Sequence, residues 1–177
     1  VRERLEDIDR IELATQESAI RIISKEGPLY NPADRDHCLQ YMVAVALIHG
    51  ALTADHYEDA AAADPRIDAL RGKMLVREEP RFTREYLDQD KRSIGNAVQV
   101  FFTDGTSTER VCIDYPVGHR RRRAEGIPLL ERKCLDALRT RFPKGQAQAI
   151  YELCLDAERL RATPVTRFMD LLVIGRP

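Results

Sequence analysis

What the sequence has little of narrows its possibilities first. The four cysteines, Cys38, Cys112, Cys134 and Cys154, are widely spaced, with no CxxC pair and no Cys/His cluster. That spacing argues against a zinc site and predicts reduced, mostly buried thiols in a cytoplasmic protein. No apolar run reaches the roughly 18 residues that a membrane-spanning helix needs, and no signal peptide is visible. Charge of one sign is also lacking: 28 Lys and Arg balance 29 Asp and Glu, a net of −1. No general attraction to nucleic acid or to an anionic membrane follows. The chain has no phosphate-cradling glycine loop and no nucleophile elbow, and Asp34, Asp36 and Asp55 lack metal-loop spacing. It opens at Val1 in charged helical sequence without a Met, and so reads as part of a longer polypeptide.

What is present supports a real core, with 44% hydrophobic residues, and a well-solvated surface, with 32% charged. RIELATQ (10–16) alternates Ile11, Leu13 and Thr15 against polar neighbours and predicts a short strand. ESAIRIIS (17–24) has helical spacing and is broken by Gly27, Pro28 and Pro32. Asn31 then caps a helix with Pro32 in its first position and Asp34 three residues past the cap, predicted to run to Ile48 and end at Gly50. Thr53 caps a further short helix, and Asp64 followed by Pro65 caps another. MLVREE (74–79) reads as a strand, PRFTREYLDQDKRSI as charged and irregular. Residues 96–116 read as a β-hairpin turning at Asp104-Gly105. The last third holds three amphipathic helical segments, PLLERKCLDALRTRF, QAQAIYELCLDAERL and VTRFMDLLVI. The order implies an α+β fold, with a small antiparallel sheet and helices followed by a helical tail.

Chemistry concentrates in NPADRDHCLQY (31–41). On one continuous helix His37 and Tyr41 lie four residues apart on one face, with Gln40 beside them, and the stripe continues through Ala44, Val45 and Ile48. A helix N-terminus under His37 favours anions and a neutral imidazole, which suits a carboxylate-bearing substrate. The plainer alternative is that His37 and Tyr41 are satisfied core residues. The second feature is Arg120 to Arg123, whose forks suit carboxylate or phosphate. A stand-alone nucleic-acid-binding module through these arginines is a competing reading, although no aromatic platform accompanies them. A solvated turn with ion pairs to nearby acids is the third. His49 and His56 fit solvent-facing or capping roles, and spacing assigns nothing to His119.

SAIRIISKEGPLYNPADRDHCLQYMVAVALIHGALTADHYED, ADPRIDALRGKM, DKRSIGNAVQVFFTDGTSTE and YPVGHRRRRAEGIPLL closely resemble the C-terminal part of the MmgE/PrpD family, from about Ile8 to Ile174. The resemblance implies that residues 1–117 form a lid-type α+β domain. Residues 118–177 would be a helical segment that returns to pack on a large all-helical domain outside this chain. Leu135, Leu138, Ile150 and Leu153 are then expected to leave an apolar patch exposed in the isolated chain, or to pair with another copy. The activity implied is removal of water from 2-methylcitrate in the methylcitrate cycle of propionate breakdown, without an iron–sulfur cluster, metal or other cofactor. A related family activity on citrate or cis-aconitate is the alternative. The resemblance implies a tricarboxylate substrate and, for the full-length protein, a second copy as partner. A relative that decarboxylates cis-aconitate is similar in placing a lid tyrosine in the shared cleft, at the position of Tyr41. By this resemblance Tyr41 and His37 are the expected catalytic residues, and Gln40, Asn31 and Arg35 the expected substrate-binding ones. The other catalytic groups of the family lie outside this chain.

Overall fold

The computed structural model describes residues 1–175, which divide into two compact units, residues 1–116 and residues from 117 onward. Arg176 and Pro177, at the end of the expected tail segment, lie outside the described residues.

In the first unit, β1 (Ile8–Thr15) is followed by α1 (Glu17–Ile23), α2 (Pro32–Asp36), α3 (Leu39–His49), α4 (Asp59–Ala62) and α5 (Pro65–Arg71). Then come β2 (Met74–Glu78), α6 (Pro80–Leu87), β3 (Asn96–Phe102) and β4 (Val111–Ile113). The four strands make one sheet in the order β2-β1-β3-β4. This corrects the expected antiparallel sheet. β1 pairs antiparallel with β3, Leu13 opposite Val98, but parallel with β2, Leu13 opposite Val76. A parallel pair needs a crossover connection, and the helices α1 to α5 provide it. The hairpin forms as expected, with Gly105 at φ +82° in its turn and Val98 opposite Val111. Only its first arm faces the core, because Val111 and Ile113 on the sheet edge stay exposed.

α3 and α5 cover one face of the sheet. Ile8, Ile11 and Leu13 of β1, with Val100 and Phe102 of β3, meet Tyr41, Ala44, Val45 and Ile48 of α3 and Ile67 and Leu70 of α5. Ile11 and Leu13, and Val100 and Phe102, follow the strand period of two, and the helix residues recur every third or fourth. Ile8 lies three before Ile11, across a shift in the β1–β3 register. The segment expected to be irregular contains α6, a second correction. Glu79 caps it by accepting from the Arg81 amide, Pro80 takes the first position, and Phe82 anchors it with no exposed surface. A Cβ on Gly95 would lie 2.4 Å from the Phe82 ring, so that position must be glycine.

The second unit holds α7 (Arg123–Arg141), α8 (Lys144–Leu155), α9 (Ala157–Ala162) and α10 (Val165–Asp170). The second expected tail helix is split at Asp156, whose extended backbone and carboxylate, accepting from the Arg159 amide at 2.9 Å, start α9 afresh. Ala147, Ile150 and Leu153 are the buried stripe of α8. Ile150 and Leu153 therefore do not belong to an exposed patch, and Leu135 and Leu138 are half-buried. The exposed apolar residues of this unit are instead Ile127, Leu129, Leu130, Leu155, Leu160, Val165 and Met169, with Val173 and Ile174 after α10. Of the cysteines only Cys38 is buried, and Cys112, Cys134 and Cys154 are exposed free thiols, which corrects the expectation of buried ones. Cys112 stands on the edge strand, and Cys134 and Cys154 on outward helix faces. Among the described residues no helix is long and apolar enough to cross a membrane, and no group of three or more His, Cys, Asp or Glu is arranged to hold a metal ion.

Candidate functional site

The helix expected from Pro32 to Ile48 breaks. α2 stops at Asp36, His37 has left the helical region (φ −108°, ψ 30°), and Cys38 is extended (φ −125°, ψ 107°) as the residue before α3. His37 and Tyr41 consequently do not share a helix face. Cys38 is buried at the break. Its thiol is fully covered, 3.7 Å from the Lys25 carbonyl and from Gln40 Oε1. His37 is exposed, with Nδ1 against the carboxylate of neighbouring Asp36.

Tyr41 points the other way, into the core, and is 2% exposed. Its hydroxyl donates to the His56 carbonyl at 2.6 Å, and its ring stacks on Tyr57 with centroids 6.1 Å apart. Burial pushes its pKa up, opposed in part by the Arg35 guanidinium, so the phenol is held protonated. Arg35 is also buried. Nη1 donates to the Tyr57 carbonyl at 2.7 Å and Nη2 pairs with Asp59 at 2.8 Å, while its Nε is buried without an acceptor. Tyr41 and Arg35 together clasp the backbone of residues 56 and 57 onto α2 and α3. Asn31 serves as the cap, its Oδ1 accepting from the Asp34 amide at 2.9 Å. His56 is also a capping residue, with Nδ1 accepting from the Thr53 amide at 3.0 Å.

Of the five expected residues, Gln40 alone lines the main cleft of this unit. The cleft, about 680 Å³, is walled by residues 24–28, by the end of α5 with Asp68, Arg71 and Gly72, and by Met74, Leu75 and Val76 of β2. Gln40 is buried and ties down the rim. Its Nε2 donates to Ser24 Oγ at 3.0 Å and its Oε1 accepts from the Lys25 amide at 3.3 Å. Arg71 closes the other side, Nη2 donating to the Gly27 carbonyl at 2.8 Å and Nη1 pairing with Asp68 at 2.5 Å. Reasoning from the sequence missed Arg71. The available signal was its place in the last turn of the Asp64-capped helix, where a cation favours the helix end, but nothing local shows that it turns inward.

The arginine run lies in the second unit. Residues 120–122 form a 3-10 turn and Arg123 begins α7. His119 Nδ1 accepts from the Arg121 amide at 3.1 Å, and Arg122 holds Glu125 through two bonds of 3.1 and 2.6 Å. The Arg122 guanidinium keeps the Glu125 carboxyl below its usual range.

The sequence matches the MmgE/PrpD C-terminal domain over residues 1–157. It is 56% identical over 168 residues to the 2-methylcitrate dehydratase of Cupriavidus necator, covering 95% of this chain and 35% of the relative. It is 53% identical to 2-methylcitrate dehydratase of Escherichia coli K12, again over 95% of this chain and 35% of the relative. A protein of Yarrowia lipolytica named 2-methylcitrate dehydratase, mitochondrial, is 51% identical, with 95% of this chain and 32% of the relative covered. The chain thus spans about a third of the length of the curated relatives it matches. Taken with the α+β fold and with the match over most of its length, this chain belongs to the MmgE/PrpD family, as its C-terminal domain.

Proposed function

We propose that this chain is the C-terminal portion of a 2-methylcitrate dehydratase, a hydro-lyase that converts 2-methylcitrate into 2-methyl-cis-aconitate and water. The observation that carries the reading is 51–56% identity, over 95% of the chain, to relatives bearing that name. The reaction removes a proton from the carbon next to a carboxylate and expels a hydroxyl from the neighbouring carbon. The C–H electron pair becomes the double bond, and the hydroxyl leaves as water once an acid has protonated it. A base, an acid and cations for three carboxylates are required. We assign the groups this chain lacks to the part of the relatives' length outside it.

Tyr41 is the residue of this chain we propose for proton donation. Burial keeps its hydroxyl protonated, the state a donor needs. It must exchange its present acceptor, the His56 carbonyl, for the substrate. His37, Gln40, Asn31 and Arg35 remain the proposed supporting set, Gln40 through its place on the cleft rim. The same reading puts the reaction in propionate breakdown, without a metal or other cofactor. It gives the full-length protein a partner in a second copy and a place in the cytoplasm or, as in the relative from Yarrowia lipolytica, in mitochondria. Residues 1–117 act as a lid, and the helical tail from 118 packs on the rest of the enzyme.

The test is a chimera in which this chain replaces the matching 35% of the Cupriavidus necator relative. The chimera should convert 2-methylcitrate faster than citrate, both followed by the ultraviolet absorbance of the new conjugated double bond. It should also convert it faster than cis-aconitate, which already carries that bond and is followed by its disappearance. The isolated chain should show little turnover, and Tyr41→Phe in the chimera should lose most of it. A folded chimera that leaves 2-methylcitrate unchanged sinks the reading.

A further inference from the structure

We propose that His56 is a positioning residue for Tyr41: its neutral ring holds the turn that occupies the Tyr41 hydroxyl, and protonation of the ring releases it. The inference rests on the dehydratase reading for what a released Tyr41 does, and on the structure for the coupling.

Tyr41 donates to the backbone carbonyl of His56 at 2.6 Å, so its availability depends on where residue 56 is held. That residue lies in a single 3-10 turn, Ala54–Tyr57, too short to persist on its own hydrogen bonds. The His56 ring makes two contacts that fix it. Nδ1 accepts from the Thr53 amide at 3.0 Å, one half of a capping box. The ring also stacks on His49, the last residue of α3, with centroids 4.8 Å apart. α3 therefore grips residue 56 twice, by Tyr41 on the carbonyl and by His49 on the ring. Arg35 holds the next carbonyl, that of Tyr57, at 2.7 Å, so residue 56 moves against a fixed neighbour.

Both ring contacts depend on a neutral imidazole. Because Nδ1 accepts a hydrogen bond, it is the nitrogen without a proton, and a second proton on the ring must go there. The new N–H cannot accept. Thr53 Oγ1, 3.2 Å away, can take it, but the Thr53 amide still loses its acceptor. Protonated together, His49 and His56 also repel across the stack. The other charged groups on the elements packed here are Asp55 in the turn, Arg35 and Asp36 on α2, and Glu58 and Asp59 at α4. Asp36 is engaged by His37 and Asp59 by Arg35, and Asp64, which feels the charge of His49, is paired with Arg66. Among the described residues, no carboxylate pairs with the His56 ring to hold it once charged. Freed of its ring contacts, residue 56 withdraws its carbonyl, and Tyr41 makes the exchange of acceptor that proton donation requires.

NMR on the 177-residue chain between about pH 8 and pH 5, the range in which imidazoles charge, tests the coupling. Exchange of the Tyr41 hydroxyl proton with water is read from the isotope shift on the ring carbon that bears it. That exchange should speed up about fivefold along the same curve as the His56 ring titrates, the worth of one capping bond. Base-catalysed exchange alone would slow as pH falls. His56→Gln keeps an acceptor suited to a capping box but cannot titrate, so its hydroxyl exchange should show no acid acceleration. In the chimera, His56→Gln should lower the ratio of kcat at about pH 6 to kcat at about pH 8 by about fivefold, with KM unchanged. Hydroxyl exchange that ignores the His56 titration overturns the proposal, whether or not His56→Gln folds. So does an equal acid response in folded His56→Gln, and so does an active chimera whose pH profile that substitution leaves unchanged. An inactive folded chimera sinks the dehydratase reading instead, and the exchange measurement still decides the coupling.

Discussion

The two units of this chain solve the burial problem differently. Residues 1–116 wrap two helices over a sheet and cover a core of thirteen buried residues running from Ile8 to Phe102. The unit from 117 buries Ala147, Ile150 and Leu153, and leaves Leu129, Leu130, Val165 and Met169 exposed. Charge divides as well. Residues 1–116 carry 22 Asp and Glu against 15 Lys and Arg, and residues 117–177 carry 7 against 13. A sheet face is a broad platform that two helices can close, whereas amphipathic helices without a sheet each bring a stripe wider than their neighbours cover. An amphipathic pattern therefore reports that a face can be buried, not that this unit buries it.

Four substitutions break or sharpen the contrast. The largest effect belongs to Ile11→Ala at the centre of the sheet, where the side chain has no exposed surface. It should lower stability by about 2–5 kcal/mol in urea denaturation. A loss under about 1 kcal/mol would mean that the sheet face is not the main support of the first unit. Tyr41→Phe comes next. It leaves the His56 carbonyl without its buried donor and should cost about 1–3 kcal/mol by the same measurement. Unchanged stability would break the clasp on residues 56 and 57.

Asp114→Asn is smaller. Arg81 bonds Asp114 at 2.9 Å, tying α6 to the chain after β4, and holds its carboxyl below the ordinary value of 3.8. A depressed carboxyl pKa contributes stability that is present above the unfolded value and lost as pH falls through the folded one. The urea midpoint of Asp114→Asn should therefore lie below that of the parent at neutral pH and converge with it in acid, below the usual carboxylate range. A gap that persists at low pH would assign the effect to packing. The smallest change is expected from Leu130→Gln on the exposed face of α7, within about 0.5 kcal/mol of the parent. A loss comparable to Ile11→Ala would erase the distinction between the units.

Much of the first unit was legible because its signals are local. Asp64 and Pro65 start α5, Asn31 caps α2, and Gly50 ends α3 in the left-handed region at φ +74°. β1 shows its alternation, and the hairpin its Asp104-Gly105 turn. α6 was legible too, in Glu79, Pro80 and the Arg81–Glu85 spacing, but the density of charge around Phe82 obscured it. The break at His37-Cys38 had no local signal, since 31–48 carries no glycine or proline after Pro32. Of the residues discussed, Gln40 lines the cleft, His37 turns to solvent, and Arg71 enters the cleft wall without a local signal.

By itself the sequence determined the α+β class, most of the element starts and stops, and the family to which the chain belongs. Each of these depends on neighbours a few residues apart or on a long run of matching residues. Only the tertiary structure decided that β1 pairs parallel with β2, that Tyr41 gives its hydroxyl to a carbonyl 15 residues away, and that Arg35 reaches one 22 residues away. It also decided that Arg71 lies against Gly27, 44 residues before it. Buried polar groups must find acceptors wherever the fold brings them, and that partner is set by the closing of the chain rather than by spacing along it.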